Sequence, residues 1–130
     1  MYRVTISPDR ILPFHGTNWQ RLSDMLHSIK RGWKPEPIYA FPLARYVEKC
    51  LFGMLDGHHR RVLSKIRGLS VETIVIETAE EMNRILSYNF DERSFKEMTS
   101  RRTEKIDSEY EEIGKQTNRW IDHFIKNSSS

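Results

Sequence analysis

The stretch Met54-Leu55-Asp56-Gly57-His58-His59-Arg60-Arg61-Val62-Leu63 sets four basic or potentially basic side chains directly behind an Asp-Gly pair. If a helix begins there, His58, His59, Arg60 and Arg61 occupy its first turn, where the backbone N–H groups lack partners and the macrodipole already presents about half a positive charge. Cations have the wrong sign at that place, each costing about 0.3 to 1 kcal/mol at low salt. An anion resting on the N–H groups turns that conflict into complementarity, with Gly57 allowing close approach and Arg60 offering a forked contact to phosphate oxygens. The pattern therefore describes a phosphate cradle formed by Gly57, His58, His59, Arg60 and Arg61. If the histidines bind as cations, affinity falls as pH rises through about 6 to 7.

Two other structures fit the same residues. Asp-Gly between apolar runs is also the signal for a β-hairpin with a type I′ turn. Against it, Val62, Leu63 and Ile66 fall on one helical face without alternating, and Gly68 stands where such a helix would end. Alternatively, Asp56 caps the helix and the basic side chains simply extend into water. A metal site on the two histidines has less in its favour, because adjacent helical residues point about 100° apart and no further ligand cluster stands at suitable spacing.

The elements that must position this turn are legible along the chain. Tyr2 to Ser7 alternate as a half-buried strand ending at Pro8. A loop is expected over residues 8–18. From Trp19 the apolar residues Leu22, Met25, Leu26 and Ile29 take helical spacing, with Asn18 or Thr17 as N-cap and Gly32 as the stop. A short strand is expected over Ile38 to Phe41 and a second over Arg45 to Leu55, paired through a Pro42-Leu43-Ala44-Arg45 turn. Val71 to Glu77, dense in β-branched residues, reads as an interior strand, and Ala79 to Asn89 as a short helix with Met82, Ile85 and Leu86 inward. The first ninety residues are thus a mixed α/β domain. Residues 91–130 contain no proline, and Ile106, Tyr110, Ile113, Trp120, Ile121 and Phe124 recur at near-helical spacing. This segment reads as an amphipathic helical extension that packs on the domain or on a second copy as a homodimer.

Composition narrows the class. A chain of 130 residues with 38% hydrophobic and 30% charged residues is one domain with a modest core. Residues 1–78 carry 12 Lys/Arg against 7 Asp/Glu, while residues 79–130 carry 9 against 11, so the mild basic excess lies in the N-terminal part. No apolar run reaches membrane-span length and the N-terminus lacks a signal-peptide core, so a cytoplasmic location without membrane contact is expected. The single cysteine, Cys50, excludes an internal disulfide and reads as a buried structural thiol.

Taken together, Leu22-Ser23-Asp24-Met25-Leu26-His27-Ser28-Ile29 with Gly32, the Pro37-Ile38 strand start, Asp56-Gly57-His58-His59-Arg60, Gly68 and the 71–77 strand resemble the N-terminal domain of ParB-type partitioning proteins. That domain shares its fold with sulfiredoxin and a group of free-serine kinases. The resemblance covers about residues 1–80. It implies an α+β fold with a small mixed sheet, and nucleotide phosphates held by Asp56, Gly57, His58, His59 and Arg60, with contributions from Arg21 and Ser28 on the earlier helix. It also implies ADP, ATP or CTP with Mg²⁺. The expected activity is hydrolysis or phosphate transfer to a small hydroxyl, or a nucleotide-gated module binding DNA or protein. Sulfiredoxin carries a nucleophilic cysteine where this chain has His58, so its repair chemistry is not expected. The partitioning proteins follow this domain with two further modules that fifty residues cannot hold. The serine kinases use a glutamate as general base in the first loop; this chain reads Leu12-Pro13-Phe14-His15-Gly16 there, leaving His15 as the substitute base and Asp56 to assist the acceptor or Mg²⁺.

Overall fold

The computed structural model describes residues 1–14, 18–47 and 49–100. His15, Thr17 and the expected helices beyond residue 100 lie outside the described residues.

A five-stranded mixed sheet forms the centre, in the order β1-β5-β3-β4-β2. The strands are β1 (Tyr2–Ile6), β2 (Ile11–Leu12), β3 (Ile38–Val47), β4 (Cys50–Asp56) and β5 (Val71–Val75). β5 runs antiparallel to β1 and parallel to β3, β4 is antiparallel to β3, and β2 is parallel to β4. β5 is therefore interior, as its residues Val71, Thr73, Ile74 and Val75, all buried, require. Helices α1 (Trp19–Lys30), α2 (His58–Ile66) and α3 (Ala79–Leu86) follow β2, β4 and β5, and helical backbone resumes over residues 92–100.

Two expectations are corrected. The segment after β1 is not a plain loop: Pro8–Arg10 form a single 3-10 turn, and Ile11–Leu12 pair with Phe52 and Gly53 of β4. A two-residue strand is too short to show a period, and its partner lies far along the chain. The Pro42-Leu43-Ala44-Arg45 segment is not a turn either. β3 runs through it as far as Val47, and β4 begins at Cys50. Proline is tolerated because β5 accompanies β3 only over Ile38–Ala40, so from Phe41 onward β3 has β4 alone beside it. The register with β4 shifts between Pro42 and Val47.

Three apolar clusters fix the layout around the site. Ile11, Ile38, Ala40, Phe52, Met54, Val71 and Val75 join the strands. Leu22, Val62 and Leu63, with Met25, Leu26, Ile29 and Ile66, lock α1 against α2. Ile76, Ala79, Met82 and Phe95 seat α3 and the helix at 92–100, so this second helix shares the core of the domain. Burying side chains of this size contributes about 1.5 to 3 kcal/mol each before entropy is subtracted. Among the described residues no helix is long and apolar enough to cross a membrane.

Candidate functional site: an uncapped helix start above a cleft

β4 delivers Asp56 to the rim of the sheet, and Gly57 turns the chain into α2 with φ 102° and ψ 31°. That conformation lies in the left-handed region, which glycine adopts without a Cβ penalty. Space imposes the same choice. A Cβ on Gly57 would lie 2.7 Å from Ile38 Cγ2 and 3.0 Å from Arg60 Nε and Nη2. The strand-turn-helix reading of Asp-Gly thus holds, and the hairpin does not form.

α2 starts differently from its two neighbours. Asn18 caps α1 by accepting from the N–H of Arg21 at 3.0 Å. Thr78 and Glu81 form a reciprocal capping box on α3, with Glu80 and Glu81 in the first turn. The N-cap of α2 is Gly57, no side chain caps it, and its first turn contains no acid. Asp56 is therefore not the cap. Its Oδ2 instead lies 3.3 Å from Arg60 Nη2.

The helix start opens onto a cleft of about 640 Å³, walled by Asp56, Gly57, His58, His59 and Arg60 on one side and by Arg21, Met25, Trp33 and Glu36 on the other. The volume is in the range that holds a small-molecule ligand. Arg60 is held in place within it: Nη1 donates to the Pro37 carbonyl at 2.7 Å, Nη2 pairs with Asp56, and Glu36 Oε2 lies 3.9 Å from Nη1. The guanidinium is thus immobilised before any ligand arrives.

The histidines do something the sequence did not suggest. His58 Nε2 accepts the backbone N–H of Phe14 at 3.2 Å, and His59 Nε2 accepts that of Asn18 at 2.9 Å. An imidazole that accepts at Nε2 carries its hydrogen on Nδ1 and is neutral. Burial, and secondarily the Arg21 guanidinium, push the His59 pKa below the ordinary imidazole value. In this arrangement the pair anchors both ends of the segment leading into α1 rather than supplying positive charge. The neighbouring helix α1 is thereby docked beside the start of α2, which brings Arg21 to the cleft.

Arg61 is a correction to the cradle. One residue further around the helix, it is 4% exposed and does not line the cleft. Its Nε donates to the carbonyls of Pro8 and Ile11, both at 2.9 Å. Lys65 pairs with Asp9 at 3.2 Å, and the Cys50 thiol donates to the Asp9 carbonyl at 3.4 Å, so this face of α2 staples the 3-10 turn and β2. Cys50 is fully buried, as expected of a structural thiol. Ser28 lines not the main cleft but an adjoining one of about 420 Å³, which shares Arg21, Met25 and Trp33 with it. Trp33 and Glu36 were missed from the sequence. They sit in the Gly32-to-Pro37 segment, where the prolines signal a boundary and nothing signals a cleft wall. Among the described residues no group of three or more His, Cys, Asp or Glu could hold a metal ion.

No family model matches the chain, and no curated protein matches it. Among solved structures it is similar to a conserved hypothetical protein from Pyrococcus furiosus, at 22% identity over 59% of this chain and 33% of that one, with a TM-score of 0.49. It is also similar to sulfiredoxin from Arabidopsis thaliana, at 15% identity over 68% of this chain and 100% of that one, with a TM-score of 0.46. The chain thus spans about a third of the length of the Pyrococcus protein.

Proposed function

We propose that this domain binds the phosphates of a nucleoside di- or triphosphate at the start of α2. The observation that carries the reading is the contrast between helix ends: α1 and α3 are capped by side chains, whereas α2, with no acid in its first turn, presents uncapped N–H groups to a cleft that also holds Arg21 and Arg60. Terminal N–H groups and the helix dipole together favour an anion there. Arg60, preset by Pro37 and Asp56, and Arg21 from the facing helix add charge from two sides. The motif from Asp56 to Arg60, which resembles that of ParB-type domains, points to the same ligand. Its phosphates accept hydrogen bonds from the helix start while His58 and His59 hold the entry to α1 in place.

Mg²⁺ commonly sits between one or two carboxylates and phosphate oxygens. Asp56 and Glu36, both beside Arg60, are the carboxylates that would hold it; when bound, the ion neutralises charge on the phosphate oxygens. Sulfiredoxin-type repair is not proposed, because the chain's single cysteine is the buried Cys50. Phosphate transfer or hydrolysis is the activity to test in this cleft, with Asp56 and Glu36 as its carboxylates.

The test is a thermal-shift panel of ATP, ADP, CTP and GTP with and without Mg²⁺, followed by calorimetry on Arg60→Ala and Arg21→Ala. Ligand binding raises the melting temperature by mass action. Removing a charge-assisted contact worth about 1.5 to 3 kcal/mol weakens affinity by roughly ten-fold or more. Absence of any shift at millimolar nucleotide, or unchanged affinity in both variants, refutes the reading. Release of inorganic phosphate over multiple turnovers assigns an enzyme; binding without turnover assigns a nucleotide-gated module.

A further inference from the structure

We infer that Trp33 is the stacking surface for a planar heteroaromatic ring on the bound ligand, with the ring on the α1 side of the cleft and the anionic end at the start of α2. The inference rests on the phosphate reading above and assigns the other end of the same ligand.

Tryptophan normally pays for its size by burial, and a side chain of this kind covers about 150 to 250 Å² when it packs. Trp33 does not use that capacity: it remains 40% exposed, and it belongs to none of the apolar clusters among the described residues. Its position is nevertheless fixed. Gly32 takes φ 98° after the last turn of α1, and the Trp33 N–H donates to the Ser28 carbonyl at 3.0 Å, closing the helix end. The indole thus stands on a rigid base in the wall of the cleft that α2 opens onto, and it is also in the wall of the adjoining one.

Its surroundings offer contacts that a ring can use. Met25 is shared by both clefts and by the α1–α2 core, and gives a soft, polarisable contact beside the indole. Asp24, Ser28 and Arg31 border the adjoining cleft and provide both hydrogen-bond donors and acceptors for the edge of a base. Arg21 and Arg31 flank this cleft with the single acid Asp24, and an exposed indole accepts any planar base.

The experiment measures affinity by calorimetry for ATP, CTP, their nucleosides and inorganic tripolyphosphate, on the wild type, Trp33→Ala and Trp33→Phe, each checked for an unchanged melting transition. In the wild type the bound nucleotide should be tighter than tripolyphosphate by about ten-fold, the size of one base-aromatic stack. Trp33→Ala should erase that gap while tripolyphosphate binds as before, and Trp33→Phe should retain most of it. Equal wild-type affinity for nucleotide and tripolyphosphate, or nucleotide affinity unaltered in Trp33→Ala, overturns the ring subsite and leaves the phosphate reading standing. Nucleoside binding lost in Trp33→Ala, with no binding of tripolyphosphate, supports the subsite and overturns the phosphate reading. No binding of any probe overturns both.

Discussion

Gly57 is the residue on which the turn into α2 depends, and Gly57→Ala measures that dependence. Two costs combine. A non-glycine residue in the left-handed region loses about 1 to 2 kcal/mol. The new methyl group would also sit 2.7 Å from Ile38 Cγ2, against a comfortable carbon separation of about 3.5 to 4.0 Å. Ile38 is fully buried in β3, so it cannot move aside cheaply, and overpacking of this kind costs about 1 to 3 kcal/mol. The sum is about 2 to 5 kcal/mol. Gly32→Ala supplies the control, because Gly32 has a similar φ of 98° but nothing lies within 4 Å of its added Cβ. It should lose only the conformational part, about 1 to 2 kcal/mol. The assay is urea unfolding at 25 °C, comparing midpoints at constant slope. Gly57→Ala should be the less stable variant by about 1 to 3 kcal/mol, the overpacking part alone. Equal losses in the two variants refute the close approach of Gly57 to Ile38, and a Gly57→Ala protein as stable as the wild type refutes the turn geometry altogether.

Further outcomes are expected at α2. Arg61→Met removes the donors to the Pro8 and Ile11 carbonyls and should destabilise by about 2 to 4 kcal/mol while leaving nucleotide affinity unchanged; reduced affinity at unchanged stability would place Arg61 in the site. His59 has a pKa below 6.5 in the folded protein, so the unfolded chain binds the proton more readily. Its contribution is complete above pH 6.5 and is lost as pH falls through that value toward the lowered one. The difference in urea midpoint between wild type and His59→Gln, followed from pH 7.5 to 5, should therefore shift against the wild type in acid; a flat difference contradicts the neutral, accepting imidazole. The same bonds reverse the pH dependence expected of cationic histidines: nucleotide affinity should hold steady or weaken below pH 6, and a marked gain in acid would restore the histidines as phosphate contacts.

Local chemistry and period determined much of this protein from sequence alone. Asn18 and Gly32 bracket α1, Asp56-Gly57 opens α2, and Gly68 follows its last turn, because caps and left-handed residues act over a few positions of chain. The apolar spacing of Val62, Leu63 and Ile66 and the density of Val71 to Val75 were sufficient to assign a helix and an interior strand. The crowd of cations at residues 58–61 was visible as a conflict with the helix dipole. How that crowd divides was decided by the tertiary structure. Arg60 faces the cleft, Arg61 is buried against Pro8 and Ile11, and both imidazoles are spent on the N–H groups of Phe14 and Asn18, because these partners come from segments about forty to fifty residues away. The two-residue β2 and the passage of β3 through Pro42 were equally invisible, since each exists only by virtue of what lies beside it in the sheet. Trp33 and Glu36 became walls of the cleft only when the packing of α1 on α2 placed the end of one helix opposite the beginning of the other.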